Sequence, residues 1–273
     1  MVAPEVTLTH LNRADGSATY THNGYAIIGA VNGPIEVQRR DEQPEEATLE
    51  VNVRPSAGVG SKHIVLWPVR KDFIDPYVAP RERHLETLLY NTLRSIILTR
   101  LIPRTLVQIT LQVRSLPEED SSAGVNTSLT LLPHLLHTAF LSLLSASIPL
   151  STTLTSVLVA YPSSTAKSST PLLTPTANEL LRAKPIRSTH VFAFSGDRRL
   201  LLNESDGKFS YEEWEEACEM AEEACCKEED QGGVSLGDSM EIDGTVQSQH
   251  LEKWLREVVK RKVEYEQRWK SAI

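Results

Sequence analysis

The residues of this chain best suited to chemistry are cations. Lys62, Arg81, Arg83, Arg94 and Arg104 fall within residues 62–104, where eight Lys and Arg face four Asp and Glu, a local charge of +4. A guanidinium donates several hydrogen bonds in a rigid fork that fits phosphate oxygens, and an ammonium adds a point charge. Arg81, Arg83, Lys62 and Arg94 are therefore candidate contacts to the phosphates of a nucleic acid. The competing reading pairs them with acids or carbonyls inside the fold, above all Arg94 and Arg104. Chemistry on a phosphodiester would need more than this strip. It requires cations to hold an attacking anion and paired carboxylates to bind a metal or move protons. Between Ser115 and Leu181 there is no arginine, and Lys167 is the only lysine. From Ser121 to His190 the only acid is Glu179. One carboxylate does not make a pair, so no catalytic residue is assigned.

Other chemistries find less support. His134 and His137 lie three residues apart on an apolar segment with no third ligand near them. They read as partly buried structural histidines, and no metal is expected. Cys218, Cys225 and Cys226 lack metal-ligand spacing and read as three reduced thiols on one helix, which fits a reducing compartment. No G-x-G-x-x-G, Walker loop or H-E-x-x-H occurs, no serine sits in a nucleophile elbow, and no cofactor is implied. Trp214, Trp254 and Trp269 lie on acidic or amphipathic helical segments and read as packing residues rather than base-stacking platforms.

The net charge of −8 argues against a nucleic-acid partner until its distribution is considered. Residues 206–247 hold 14 Asp and Glu against 2 Lys, a local −12, which leaves +4 on the remainder. A mildly basic body with an acidic appendage can bind phosphates on one face. The 273 residues, 40% hydrophobic and 23% charged, can bury a sizeable core. No apolar run reaches the roughly 18 residues of a membrane span, so no membrane is expected. The first residues carry Glu5 and no basic stretch, unlike a signal peptide.

The elements that must position these residues follow from periodicity. Tyr25–Val31 and Ala47–Val53 read as strands, with Asn32-Gly33-Pro34 as a turn after the first. A helix starts near Pro80, with an apolar stripe of Leu85, Leu88, Leu89, Leu93, Ile96, Ile97 and Leu101, and stops at Pro103. Arg83 and Arg94 share a face away from that stripe. Leu106–Val113 alternates as a strand, residues 114–127 form a polar loop, and Leu129–Ile148 is a strongly apolar helix. Ser156–Tyr161 is a strand, a short helix lies near Thr176–Leu181, and Thr189–Phe194 with Arg199–Leu202 form a hairpin. Ser210-Tyr-Glu-Glu213 is a capping box that opens a helix. Three parts result: a body at 1–227, an acidic and disordered insert at 228–247, and an amphipathic helix at 248–273. The helix carries Leu251, Trp254, Leu255, Val258, Val259 and Val263 on one side. It docks on its own domain or offers a partner surface.

Four short motifs then become informative together: R-A-D-G at Arg13–Gly16, N-G-P-I-E at Asn32–Glu36, P-R-E-R at Pro80–Arg83 and I-P-R at Ile102–Arg104. As a set they resemble the RNase PH fold family, specifically the RNase PH-like subunits that ring the eukaryotic RNA exosome, over roughly residues 6–225. The resemblance implies an α+β RNase PH fold of two β-then-α halves, like ribosomal protein S5 domain 2, with a C-terminal helical extension. Ala146-Ser-Ile-Pro-Leu150 is similar to the family's A-G-I-P-M. Counting from it, the phosphate-binding Thr-Arg of active members falls at about Leu131 and Leu132, and their acids near Thr174 and Leu180. The resemblance thus implies a non-catalytic ring subunit. Its implied partners are other RNase PH-like subunits, RNA-binding cap subunits, an associated nuclease and single-stranded RNA. Nucleus, nucleolus and cytoplasm are the implied locations. An active phosphorolytic exoribonuclease, or a free RNA-binding protein, is the alternative.

Overall fold

The computed structural model describes residues 4–55, 80–117, 125–163, 170–226 and 251–270. Lys62 and the acidic insert at 228–247 lie outside these residues. Two sheets hold the described strands. The first joins β1 (Glu5–Leu8), β2 (Gly16–His22), β3 (Tyr25–Glu36), β4 (Thr48–Arg54) and β5 (Thr105–Ser115) in the order β1-β2-β3-β5-β4. The pair β4–β5 is parallel, and the crossover it requires carries α1 (Pro80–Ile96). The second sheet is antiparallel: β6 (Leu154–Pro162), β7 (Leu172–Leu173), β8 (Ile186–Ser195) and β9 (Leu200–Gly207), ordered β7-β6-β8-β9.

Between the sheets lies α2 (Thr127–Ser145), packed on β2 and β3 on one side and on β6 and β8 on the other. Leu132, Leu135, Leu136, Ala139, Phe140 and Leu143 on it are fully buried. A helix apolar all round must be enclosed. Its length and composition would suit a membrane crossing, but the two sheets absorb that surface. The helix α3 (Ala177–Arg182) is capped by Thr176, and α4 (Tyr211–Cys225) by the expected Ser210–Glu213 box. The last helix, α5 (Leu251–Glu266), places Leu251, Trp254 and Leu255 in the core.

Two sequence expectations need correction. Asn32-Gly33-Pro34 is no turn, because β3 continues through it with a register shift between Asn32 and Ile35. The Gly33 N–H donates to Asp15 Oδ2 at 2.8 Å. Gly33 has φ +149°, and a Cβ there would sit 2.8 Å from the Leu106 carbonyl oxygen. Gly16 abuts the end of α2, where a Cβ would meet Ala146 N at 2.2 Å. R-A-D-G and N-G-P are thus two sides of one joint between the sheet and α2. The second correction concerns α1, which ends at Ile96, well before Pro103. The Ile96 carbonyl accepts from the Ser151 N–H at 2.8 Å and the Ser151 hydroxyl at 2.9 Å. The segment after α2 therefore takes the bond that would have extended the helix. The chain turns outward through Thr99–Leu101, leaving Leu101 66% exposed rather than on the apolar stripe.

Candidate functional site

The basic strip divides in two. Arg81 and Arg83 are exposed in the first turn of α1. At its far end, Arg94 Nη2 meets Glu46 Oε2 at 3.2 Å and its Nη1 donates to the Tyr90 hydroxyl at 3.2 Å. Tyr90, then Glu46, raise the Arg94 pKa above its ordinary value. Glu46 also holds Arg100 at 3.6 Å, and Glu42 holds Arg104 at 3.6 Å. The connection between β3 and β4 thus supplies the acids that gather Arg94, Arg100 and Arg104. The sequence offered pairing of Arg94 and Arg104 only as a competing reading, since Glu46 and Glu42 lie 48 and 62 residues earlier in the chain.

In the second half, Leu131, Leu132 and Leu180 are buried. Glu179 is exposed and occupied: its Oε2 accepts from the Thr176 N–H at 2.8 Å, closing the cap of α3. Among the described residues no group of three or more His, Cys, Asp or Glu could hold a metal ion.

A polar cluster lies instead under α5. One cavity is lined by Tyr20, His22 and Tyr25 from β2 and β3, His134 and His137 from α2, and Leu251 from α5. His134 is partly buried, as expected, whereas His137 is fully enclosed. Tyr25 stacks on His134 with ring centroids 4.5 Å apart. His137 Nε2 accepts from the Ser156 N–H at 3.0 Å, and its Nδ1 lies 3.3 Å from the Tyr20 hydroxyl. An accepting Nε2 requires the neutral ring with its proton on Nδ1. Burial, reinforced by His22, pushes the His137 pKa down to about 3. Burial, with His22 and His137 beside it, also holds His134 well below the usual histidine range. Burial raises the Tyr20 hydroxyl. Trp254 closes the cluster, its ring 6.1 Å from Tyr20 and 6.2 Å from His137, with Nε1–H donating to the Pro4 carbonyl at 3.2 Å. The spacing of Tyr20 and His22, two apart on one strand, was a legible sign of a shared face, but nothing local tied that face to α2.

The first half of α5 therefore docks on its own domain. Past Lys262 the chain leaves the body, and Val263, Tyr265 and Trp269 are 43%, 65% and 64% exposed. Trp214 packs on Phe192 and Trp254 is buried, as expected. Trp269 is not packed, contrary to expectation, because the domain ends beneath it.

The family described as 3′ exoribonuclease family, domain 1 (RNase PH), matches residues 3–149. Over 218 residues the chain is 28% identical to exosome complex component RRP46 of Saccharomyces cerevisiae, covering 79% of this chain and 86% of that protein. It is 29% identical over 144 residues to the exosome complex exonuclease RRP46 homolog of Oryza sativa subsp. japonica, covering 53% of this chain and 48% of that one. The crystal structure of rice Rrp46 superimposes with a TM-score of 0.61 at 23% identity, over 79% of this chain and 86% of that chain. That likeness bears on the fold alone and agrees with the two sheets around α2. With more than half of its length matched, the chain belongs to the RNase PH (3′ exoribonuclease) family.

Proposed function

We propose that this chain is a non-catalytic subunit of the RNase PH-like ring of an RNA exosome core. The observation that carries the reading is the similarity to the yeast exosome component along 86% of that protein. The role is architectural. The subunit pairs with other RNase PH-like subunits, helps to form the channel that passes single-stranded RNA, and supports the cap subunits and an associated nuclease. The processes served are ribosomal RNA maturation, mRNA decay and RNA surveillance, in nucleus and cytoplasm, the nucleolus included.

Two facts support the absence of catalysis. Buried Leu131 and Leu132 stand where the resemblance sets phosphate-binding residues, and Glu179, the only acid between Ser121 and His190, serves as a helix cap. Without clustered cations the attacking phosphate has no seat, and without paired carboxylates no metal is held. The rice relative is named an exonuclease, so activity must be measured. Co-expression with candidate RNase PH-like partners is expected to give a stable heterodimer by light scattering, with no phosphate-dependent release of nucleoside diphosphates. A clean monomer in the presence of the full partner set would favour a free RNA-binding protein. Diphosphate release that survives repurification and vanishes in Glu179→Gln would establish an enzyme.

The RNA contacts proposed are Arg81, Arg83 and Lys62. Arg94 would have to leave Glu46 to join. Arg81 and Arg83 lie off the buried stripe of α1, so the double change Arg81→Glu and Arg83→Glu leaves assembly intact. Removal of each bond to a phosphate is expected to lower the salt slope of single-strand binding by about 0.7, alike for all sequences. An unchanged slope in an intact complex would reduce both residues to solvated surface. A failure to assemble would assign them to a subunit interface.

A further inference from the structure

The stripe by which α5 docks does not stop where the domain stops. Leu251, Trp254, Leu255 and Val258 recur at three- and four-residue intervals and lie against the body. The next position on that face is Lys262, whose Nζ reaches the Ser145 hydroxyl at 3.3 Å. Tyr265 follows three residues later on the same face but beyond the body, and Trp269 stands in the 3-10 turn Arg268–Lys270 that continues the chain after α5. The residue types change at this boundary. The docked part is largely aliphatic, and the overhang offers two aromatic rings. Each ring carries a cation: the Arg268 guanidinium lies 4.4 Å from the Tyr265 ring centre, and Lys270 Nζ lies 5.4 Å from that of Trp269.

We propose that this overhang binds single-stranded RNA, with bases stacking on Tyr265 and Trp269 and phosphates held by Arg268 and Lys270. Charge selects the ligand. Residues 260–270 hold Lys260, Arg261, Lys262, Arg268 and Lys270 against Glu264 and Glu266, a net +3 on a chain of −8. Lys260, Arg261 and Lys262 are engaged by Glu264 at 3.8 Å, Glu257 at 2.8 Å and Glu266 at 3.6 Å, and the two cations against the rings are Arg268 and Lys270. Rings flanked by cations are what an unpaired nucleotide strand requires: a π-face for each base and positive charge for the backbone between them. The inference draws only the ligand class from the proposed function. It requires neither ring membership nor Arg81 and Arg83.

The test uses the full chain, with its ring neighbour if they assemble and alone if they do not. The probe is a fluorescein-labelled oligouridine of about 20 nucleotides, long enough to cover more than one stacking site. Tyr265→Ala with Trp269→Ala is expected to weaken binding at least fivefold, the loss of about one stacked base. Trp269→Phe is expected to keep affinity within about twofold, and Trp269→Leu, apolar but without a π-face, to behave like alanine. Arg268→Glu with Lys270→Glu is expected to lower the salt slope by about 0.7 for each phosphate released. Both rings are exposed, so thermal unfolding serves as a control and is expected to be unchanged. Wild-type affinity in the double-alanine variant would overturn the proposal. So would a Trp269→Leu variant as good as Trp269→Phe, or the loss of a protein partner with RNA binding unchanged, because either marks an apolar protein dock. Light scattering scores assembly separately, so a failed ring and a failed RNA site give different results.

Discussion

Between about pH 6.5 and pH 3 the protein is expected to lose several kcal/mol of stability through His137. The ring is neutral in the folded state with a pKa of about 3, against 6.5 for a free histidine. In this window the unfolded chain binds a proton that the folded chain does not, so stability rises with pH and falls as acid is added. The contribution is fully present above about pH 6.5. It declines by about 1.4 kcal/mol for each pH unit below that, until the folded ring itself titrates. At pH 4.5 the loss from this one group is about 3 kcal/mol, a large part of the 5–15 kcal/mol typical of a domain. His134 acts in the same direction, and so does His190, which burial pushes down to about 4. The cause is burial, reinforced by His22, and because His137 Nε2 accepts from the Ser156 N–H a proton placed there would also face a donor. Urea midpoints measured from pH 7.5 to pH 4.5 check this. His137→Gln, whose side-chain oxygen can still accept from Ser156, is expected to flatten the slope by about one proton. A midpoint independent of pH over this range would mean that water reaches the cluster.

Trp254→Ala is expected to cost about 3–5 kcal/mol, the usual range for removing a buried tryptophan. The indole is 6% exposed, lies edge-on to Tyr20, packs on His137, and donates to the Pro4 carbonyl. Its removal also opens the histidine cluster to water. The His137 pKa then climbs back toward 6.5, and the acid slope shrinks along with the stability. Chemical denaturation at two pH values measures both effects. Val263→Ala, on the exposed overhang of the same helix, is expected to stay within about 0.5 kcal/mol of wild type. Unchanged stability and slope in Trp254→Ala would mean that α5 does not hold the cluster closed.

Local rules were enough wherever a single element decided the outcome. The alternation of Leu106–Val113 became β5, the Ser210–Glu213 box capped α4, and the apolar run around Leu129–Ile148 became the enclosed α2. They fell short wherever two distant segments shared a bond. Asn32-Gly33-Pro34 has turn chemistry, but Asp15 and β5 hold it in a strand. The α1 stripe ran on to Leu101 on paper, but Ser151 takes the Ile96 carbonyl. The cations were visible from composition, while the acids that engage Arg94 and Arg104 came from a connection with no pattern of its own. The histidine cluster was half visible, as His134 and His137, because the rings that enclose them arrive from β2, β3 and α5. The fold follows from patterns within segments. The site follows from pairings between segments, which periodicity does not record.

The position of α2 sets how this molecule can come apart. Each sheet uses the same helix as the far wall of its core: Leu111 and Ile27 on one side and Leu154, Val191 and Ala193 on the other belong to one continuous apolar cluster with it. A two-half architecture invites the picture of two autonomous lobes, each able to melt or be synthesised alone. A shared wall forbids this, since either half without the helix would expose an open sheet face to water, and the helix can leave neither face singly. Despite its two sheets the body is a single cooperative unit, and on the ribosome the first sheet cannot complete its core until α2 has emerged.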